Sequence, residues 1–146
     1  MTQTREIAAA DAHPLRRQVL RKGFDNLDVH FPEDDAPGAF HLGVFVDDAL
    51  VGVASFSPNG RAQDVAIEGW QLRGMAVGDG HQGQGLGALL IDAAVERISA
   101  TGDTVLWCNA RDSAQGFYAK LGFVVVGDGF VTQATGLPHH VMVRRL

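Results

Sequence analysis

The chain has 146 residues, 46% of them hydrophobic and 20% charged, with 12 Lys plus Arg against 17 Asp plus Glu, a formal net charge of −5. That size suits one domain over residues 1–146 and excludes a disordered chain, while the acid excess speaks against nucleic acid or an anionic membrane as partner, both of which need a basic face. The single cysteine, Cys108, allows no internal disulfide, and with no leader and no run of 18 apolar residues the expectation is a soluble cytoplasmic protein.

Arg5 to Ala10 reads as a first strand. After His13-Pro14, the apolar positions Leu15, Val19 and Leu20 share one face of a helix expected over residues 12 to 22. Gly23 to Pro37 carries Pro32, Pro37 and five acidic residues without periodicity, and so reads as a long loop of the kind that often serves function. Its Glu33-Asp34-Asp35 run offers charge to a cationic amine such as a polyamine or lysine tail, or is plain solvated loop. Phe40–Val46 and Leu50–Phe56 form a hairpin joined by Asp47-Asp48-Ala49, and Ser57-Pro58-Asn59-Gly60 reads as a turn.

Ile67 to Val77 is a third long strand. A helix over about Gln84 to Ala100 presents Leu86, Leu89, Leu90, Ala93, Ala94, Arg97 and Ile98 as a stripe, and Gly102 stops it. Thr104–Cys108 is a buried strand, Ser113–Leu121 a short helix, and Phe123–Gly127 and His140–Arg144 are the closing strands. Helices and strands alternate only after the hairpin, which predicts an α/β architecture with a mixed sheet.

The 18 glycines are unevenly spread, with six between Gly74 and Gly87. Met75 to Gly87 runs strand, glycine turn, helix start. Converging N–H groups and the partial positive charge of a helix N-terminus suit a phosphate or pyrophosphate, the plainer reading being a turn that needs freedom. A Walker loop is excluded because the segment has no lysine. Gly78-Asp79-Gly80-His81-Gln82-Gly83 does spell the dinucleotide fingerprint, yet Asp103 precedes the next strand instead of ending it, and too little chain follows for a doubly wound sheet.

Gln82-Gly83-Gln84-Gly85-Leu86-Gly87 fits Q/R-x-x-G-x-G/A, and in this the sequence resembles the GNAT superfamily of N-acetyltransferases. Leu72 to Val77 is similar to that family's fourth strand, and Ala114 to Phe123 to its A-x-x-x-Y-x-K-x-G-F segment, so that the resemblance covers about residues 40 to 146. It implies an α/β fold of the α+β type, a mixed and mostly antiparallel central sheet flanked by helices. It also implies direct transfer of an acetyl group from acetyl-CoA to a primary amine of a small molecule or peptide, with no metal. The N-terminal helix and acidic loop stand where the family varies its acceptor-binding elements.

Residue by residue, the resemblance implies that the backbone of Met75, Ala76 and Val77 lies along the pantetheine arm. Gln82, Gly83, Gln84, Gly85, Leu86 and Gly87 would hold the pyrophosphate, and Asn109, Ala114 and Phe117 would complete the coenzyme A site. Arg111 stands where many members have Asn. Tyr118, the only tyrosine, would protonate the departing thiolate, and Glu68 at the start of the fourth strand is the nearest carboxylate for a general base. Arg73 is a candidate for an acceptor carboxylate or the cofactor and His139 for the acceptor, each with an ordinary ion pair or surface histidine as its plain reading. His139 and His140 would face opposite sides of a strand, a poor metal pair. Cys108 reads as a small buried hydrophobe before it reads as a nucleophile. A non-catalytic acyl-CoA-binding sensor is the alternative function, a nicotinamide-dependent oxidoreductase the third, and a homodimer is left open.

Overall fold

In the computed structural model, which describes residues 1–146, the β-branched and aromatic runs pair into one seven-stranded sheet. Its spatial order is β1 (Thr2–Ile7), β2 (Phe40–Val46), β3 (Ala49–Arg61), β4 (Glu68–Val77), β5 (Val105–Arg111), β7 (Pro138–Arg145) and β6 (Val124–Val131). Only β4 and β5 run parallel, so the sheet is mixed and mostly antiparallel as expected. The helices are α1 (Ala9–Leu15), α2 (Leu86–Ser99) and α3 (Gln115–Lys120). No helix is long and apolar enough to cross a membrane.

Several boundaries differ from the expected ones for local reasons. The first strand ends at Ile7, and residues expected to extend it begin α1. Pro14 has no amide hydrogen to donate within α1, and the chain goes on as one π turn over Arg16–Leu20. The acidic loop contains a 3-10 turn, Pro32–Asp35. Asp47 and Asp48 both take positive φ, giving a two-residue hairpin link shorter than the one expected. Ser57–Gly60 is no turn: β3 runs through it, with a register shift between Ser57 and Gly60 that absorbs Pro58 and Asn59. Helix α2 begins two residues later than expected because Gly85, at φ +77°, is left-handed and caps it.

One face of α2 covers the sheet. Leu86, Leu90, Ala94 and Ile98, spaced by four, join Ile91 against Phe40, Leu42, Phe56, Leu72 and Leu106 in the main core. Leu89 lies outside that stripe, exposed, and Arg97 reaches out to Glu6 while its guanidinium stacks 4.0 Å over Phe40. Helix α1 covers the opposite face through Ala12 against Val53 and Ala76, and Trp107, Val141 and Val143 continue that face towards β7. The sheet is thus fixed from both sides where β4 meets β5.

Candidate active site

Strands β4 and β5 share a parallel ladder only over Trp70–Leu72 and Leu106–Cys108. Beyond it β5 continues to Arg111 in register with β7, whereas β4 is drawn towards β3. The cause is a bulge. Val53 faces Ala76 and Ser55 faces Arg73, so Gly74 and Met75 stand against the single residue Ala54. Gly74 takes φ +61°, and a Cβ there would sit 2.6 Å from Nε of Arg16.

Arg16 is fully buried. Its Nη1 donates to Asp34 Oδ2 at 2.7 Å and to the Val29 carbonyl at 2.9 Å; its Nη2 donates to Asp34 Oδ1 at 2.9 Å and to Ser55 Oγ at 2.7 Å. His41 completes the network. Its Nε2 lies 3.2 Å from the Asp34 carbonyl oxygen, which only accepts, so Nε2 carries the proton and Nδ1 accepts from Ser55 Oγ at 2.7 Å. Burial alone would raise the Asp34 carboxyl, but the hydrogen bonds and charge of Arg16 outweigh it and hold the group below its ordinary range. Asp34 also lies near His13 and His30, with candidate ligand atoms within 4.8 Å of one another, yet both its oxygens are already committed to Arg16.

The splayed strands enclose a cleft of about 290 Å³, near the lower end of small-molecule sites. Met75, Asn109, Ala114, Tyr118, Arg73 and His139 all line it together with Cys108, whereas Ala76, Val77, the glycine turn, Phe117 and Glu68 do not. Tyr118 is 8% exposed, packed edge-on against Phe117 and Phe123. Burial, reinforced by Cys108, pushes its hydroxyl far above the ordinary tyrosine range, so it stays protonated. Burial likewise pushes the Cys108 thiol up to about 12, which removes the thiolate that a covalent route would need.

His139 is no surface histidine: it is buried within β7, directly opposite Arg111 of β5 and stacked on Phe130. Its Nδ1 must donate to the Leu137 carbonyl at 2.8 Å, so the neutral imidazole carries its lone pair on Nε2. His140 turns to the other face, where its Nδ1 meets Asp112 at 2.6 Å. Arg73 pairs with Glu33 at 3.0 Å, and burial lowers its own pKa. Glu68 is not brought to the cleft. It lies at the far end of β4, exposed and paired with Arg61 at 3.3 Å, because the bulge and splay that make the cleft occur at the strand's opposite end.

The glycine turn follows β4 directly. Gln82 Nε2 donates to the Val77 carbonyl at 3.0 Å and Gln84 Nε2 to that of Gly80 at 3.5 Å, so the two glutamines tie the turn to itself. A Cβ on Gly80, Gly83 or Gly85 would meet nothing within 4 Å; the space outside the turn is open. That opening and the unpaired N–H groups of the first turn of α2 fit a diphosphate. Gly87 has a different use, since a Cβ there would be 2.5 Å from the Phe117 ring. Ala76 is buried against α1, and Val77 packs on the main core, so these two have only backbone to offer a ligand.

Two residues in the cleft wall, Arg21 and Glu33's partner strand neighbour Gln71, carried no signal in the sequence; Arg21 lies in an ordinary basic stretch, 90 residues before Arg111 in the chain. The acidic run does not act as a unit. Asp34 is buried on Arg16, Glu33 pairs with Arg73, and Asp35 lies 3.7 Å from His30.

Comparison with known proteins gives a consistent result. The family description "Acetyltransferase (GNAT) domain" matches residues 21–146. The chain is 35% identical over 143 residues to the uncharacterized N-acetyltransferase YitI of Bacillus subtilis (strain 168), covering 98% of this chain and 95% of that one. Among solved structures it is similar to Escherichia coli ElaA, with TM-score 0.77 at 19% identity over 99% of both chains. It is also similar to an aminoglycoside 6′-N-acetyltransferase complexed with coenzyme A, with TM-score 0.75 at 15% identity over 98% of this chain and 96% of that one.

Proposed function

The chain belongs to the GNAT acetyltransferase family and is an acyltransferase, and from that premise we propose that it moves the acetyl group of acetyl-CoA directly to a primary amine. The observation that carries this reading is the cleft itself, a protonated, buried Tyr118 beside a splayed strand pair, together with the unobstructed glycine turn that follows β4.

The turn and the start of α2 hold the diphosphate by N–H groups, and the edge of β4 at Met75–Val77 pairs with the amide-bearing arm as a neighbouring strand would. Asn109, Ala114 and Phe117 close the β5 and α3 side. His139 Nε2 accepts a proton from the attacking amine, taking the role first assigned to Glu68. As the C–N bond forms and the C–S bond breaks, the Tyr118 hydroxyl delivers its proton to sulfur. Cys108 takes no part.

Titration calorimetry with acetyl-CoA, coenzyme A and NADH, followed by thiol release across a panel of amines, tests the reading. Coenzyme A ligands bind, NADH does not, and one amine class releases thiol. Binding without turnover on any amine would favour a non-catalytic acyl-CoA-binding module, and absence of coenzyme A binding would overturn the proposal.

A further inference from the structure

The cleft wall contains three arginines, Arg21, Arg73 and Arg111, and no aspartate or glutamate. Arg73 is matched from behind by Glu33. Arg21 and Arg111 are matched by nothing: neither takes part in an ion pair, although Arg21 is only 7% exposed and Arg111 is half-buried. The donors that they do use go to backbone. Arg111 Nη2 donates to the Leu20 carbonyl oxygen at 2.7 Å, Arg21 Nη1 reaches the same oxygen at 3.4 Å, and Arg21 Nε donates to the Asp28 carbonyl at 3.3 Å.

Two like charges are therefore gathered around one carbonyl in a partly desolvated wall, where each disfavours the other and ordinary protein interiors would supply a counter-charge. Burial, and then Arg21, lowers the pKa of Arg111, which registers this conflict. Each planar guanidinium keeps unused N–H donors in the fork geometry that a carboxylate fits. Arg111 stands directly opposite His139 across the β5–β7 ladder, so an anion held there lies beside the imidazole Nε2.

We infer that Arg21 and Arg111 bind the carboxylate of the acceptor, which makes the substrate class a free amino acid or a similarly small amine bearing a carboxylate. This rests on the acetyl-transfer reading above and narrows it. The same charge count sets the cleft against polyamines and other polycationic acceptors, the class that the acidic run in the sequence had suggested.

The test uses the full-length protein saturated with coenzyme A, a step that fails first and separately if the parent reading is wrong. Saturation-transfer NMR then compares a pool of amino acids, a pool of the corresponding amino-acid amides, and spermidine. Members of the first pool bind at least tenfold more tightly than their amides, and spermidine does not compete. Arg111→Gln weakens that binding tenfold or more while leaving coenzyme A affinity within twofold, and Arg111→Lys recovers part of it. Equal binding of amides, preferential binding of spermidine, or no binding from any pool by the coenzyme A-loaded protein would overturn the inference, whichever variants fold.

Discussion

The two parts of the candidate site, the glycine turn after β4 and the cleft between β4 and β5, are made of different material. At the glycine turn the groups open to solvent are main-chain N–H and C=O, set by a left-handed Gly85 and the first turn of α2, with open space beyond. At the acceptor end they are side chains, and they stand on a buried scaffold in which Arg16, Asp34, Ser55 and His41 bring four separate segments together. Backbone can offer the same diphosphate site from many sequences. A side-chain wall of this kind distinguishes one acceptor from another, and each change in it alters what is accepted.

The contrast can be broken most sharply at Gly85. Replacement by Leu forces a branched residue to φ +77° and fills the open side of the turn, and coenzyme A affinity measured by calorimetry falls by on the order of 100-fold or more. No atom lies within 4 Å of that Cβ, so the cost of the change is backbone strain at the cap of α2 and not a clash with the sheet or the acceptor wall. Normal affinity would mean that the turn does not hold the cofactor.

In the cleft, Tyr118→Phe keeps the packing and removes the proton. Turnover drops by roughly 10²–10⁴-fold with coenzyme A affinity little changed. An unaltered kcat removes Tyr118 from the chemistry.

Asp34→Ala attacks the scaffold instead. It leaves the fully buried Arg16 unpaired, and chemical denaturation should show a loss of about 3–5 kcal/mol. The pH dependence follows the same pair: since the folded pKa of Asp34 is lowered, its contribution is present above the ordinary carboxylate range and is lost as pH falls through the folded value. Urea midpoints measured from pH 6 down to pH 3 therefore fall less steeply in Asp34→Ala than in the parent.

The smallest effect on function is expected at Cys108. Cys108→Ala changes turnover by less than about threefold, because the thiol fills space and stays protonated. Its raised pKa places the linkage on the alkaline side: the stabilisation is complete below the thiol's ordinary range near 8.5 and disappears as pH rises towards about 12. Alkylation by iodoacetamide at pH 8 should accordingly be far slower in the folded protein than in urea. A fast reaction in the native state would show that β5 opens.

The turn-made end was legible in the sequence because its signal is local. Six glycines, a strand before them and a helix stripe after them lie within one short stretch, and Ala114–Phe123 repeats the advantage for Tyr118. The acceptor end was not, since Asp34 lies 18 residues from Arg16 and Ser55 lies 39. No periodicity reports such a meeting. Nor does the acidic run show its separate pairings in the sequence, its three carboxylates being claimed by Arg16 in the π turn, Arg73 on β4 and His30 in the loop itself. Glu68 was chosen by closeness in sequence to the right strand, and the bulge at Gly74 is what places the cleft at that strand's other end.

Strand β7 has a consequence for how the molecule is made. It lies between β5 and β6 in the sheet and carries His139, while β6, with Val124 and Val131 exposed along it, pairs with β7 alone. During synthesis at about 5–20 residues per second, the segment from β5 onward therefore has no partner on that side until residues 138–145 have cleared the ribosome. For those seconds the nascent chain presents one unpaired strand edge in the middle of its future sheet, and truncation before residue 138 would make that transient exposure permanent.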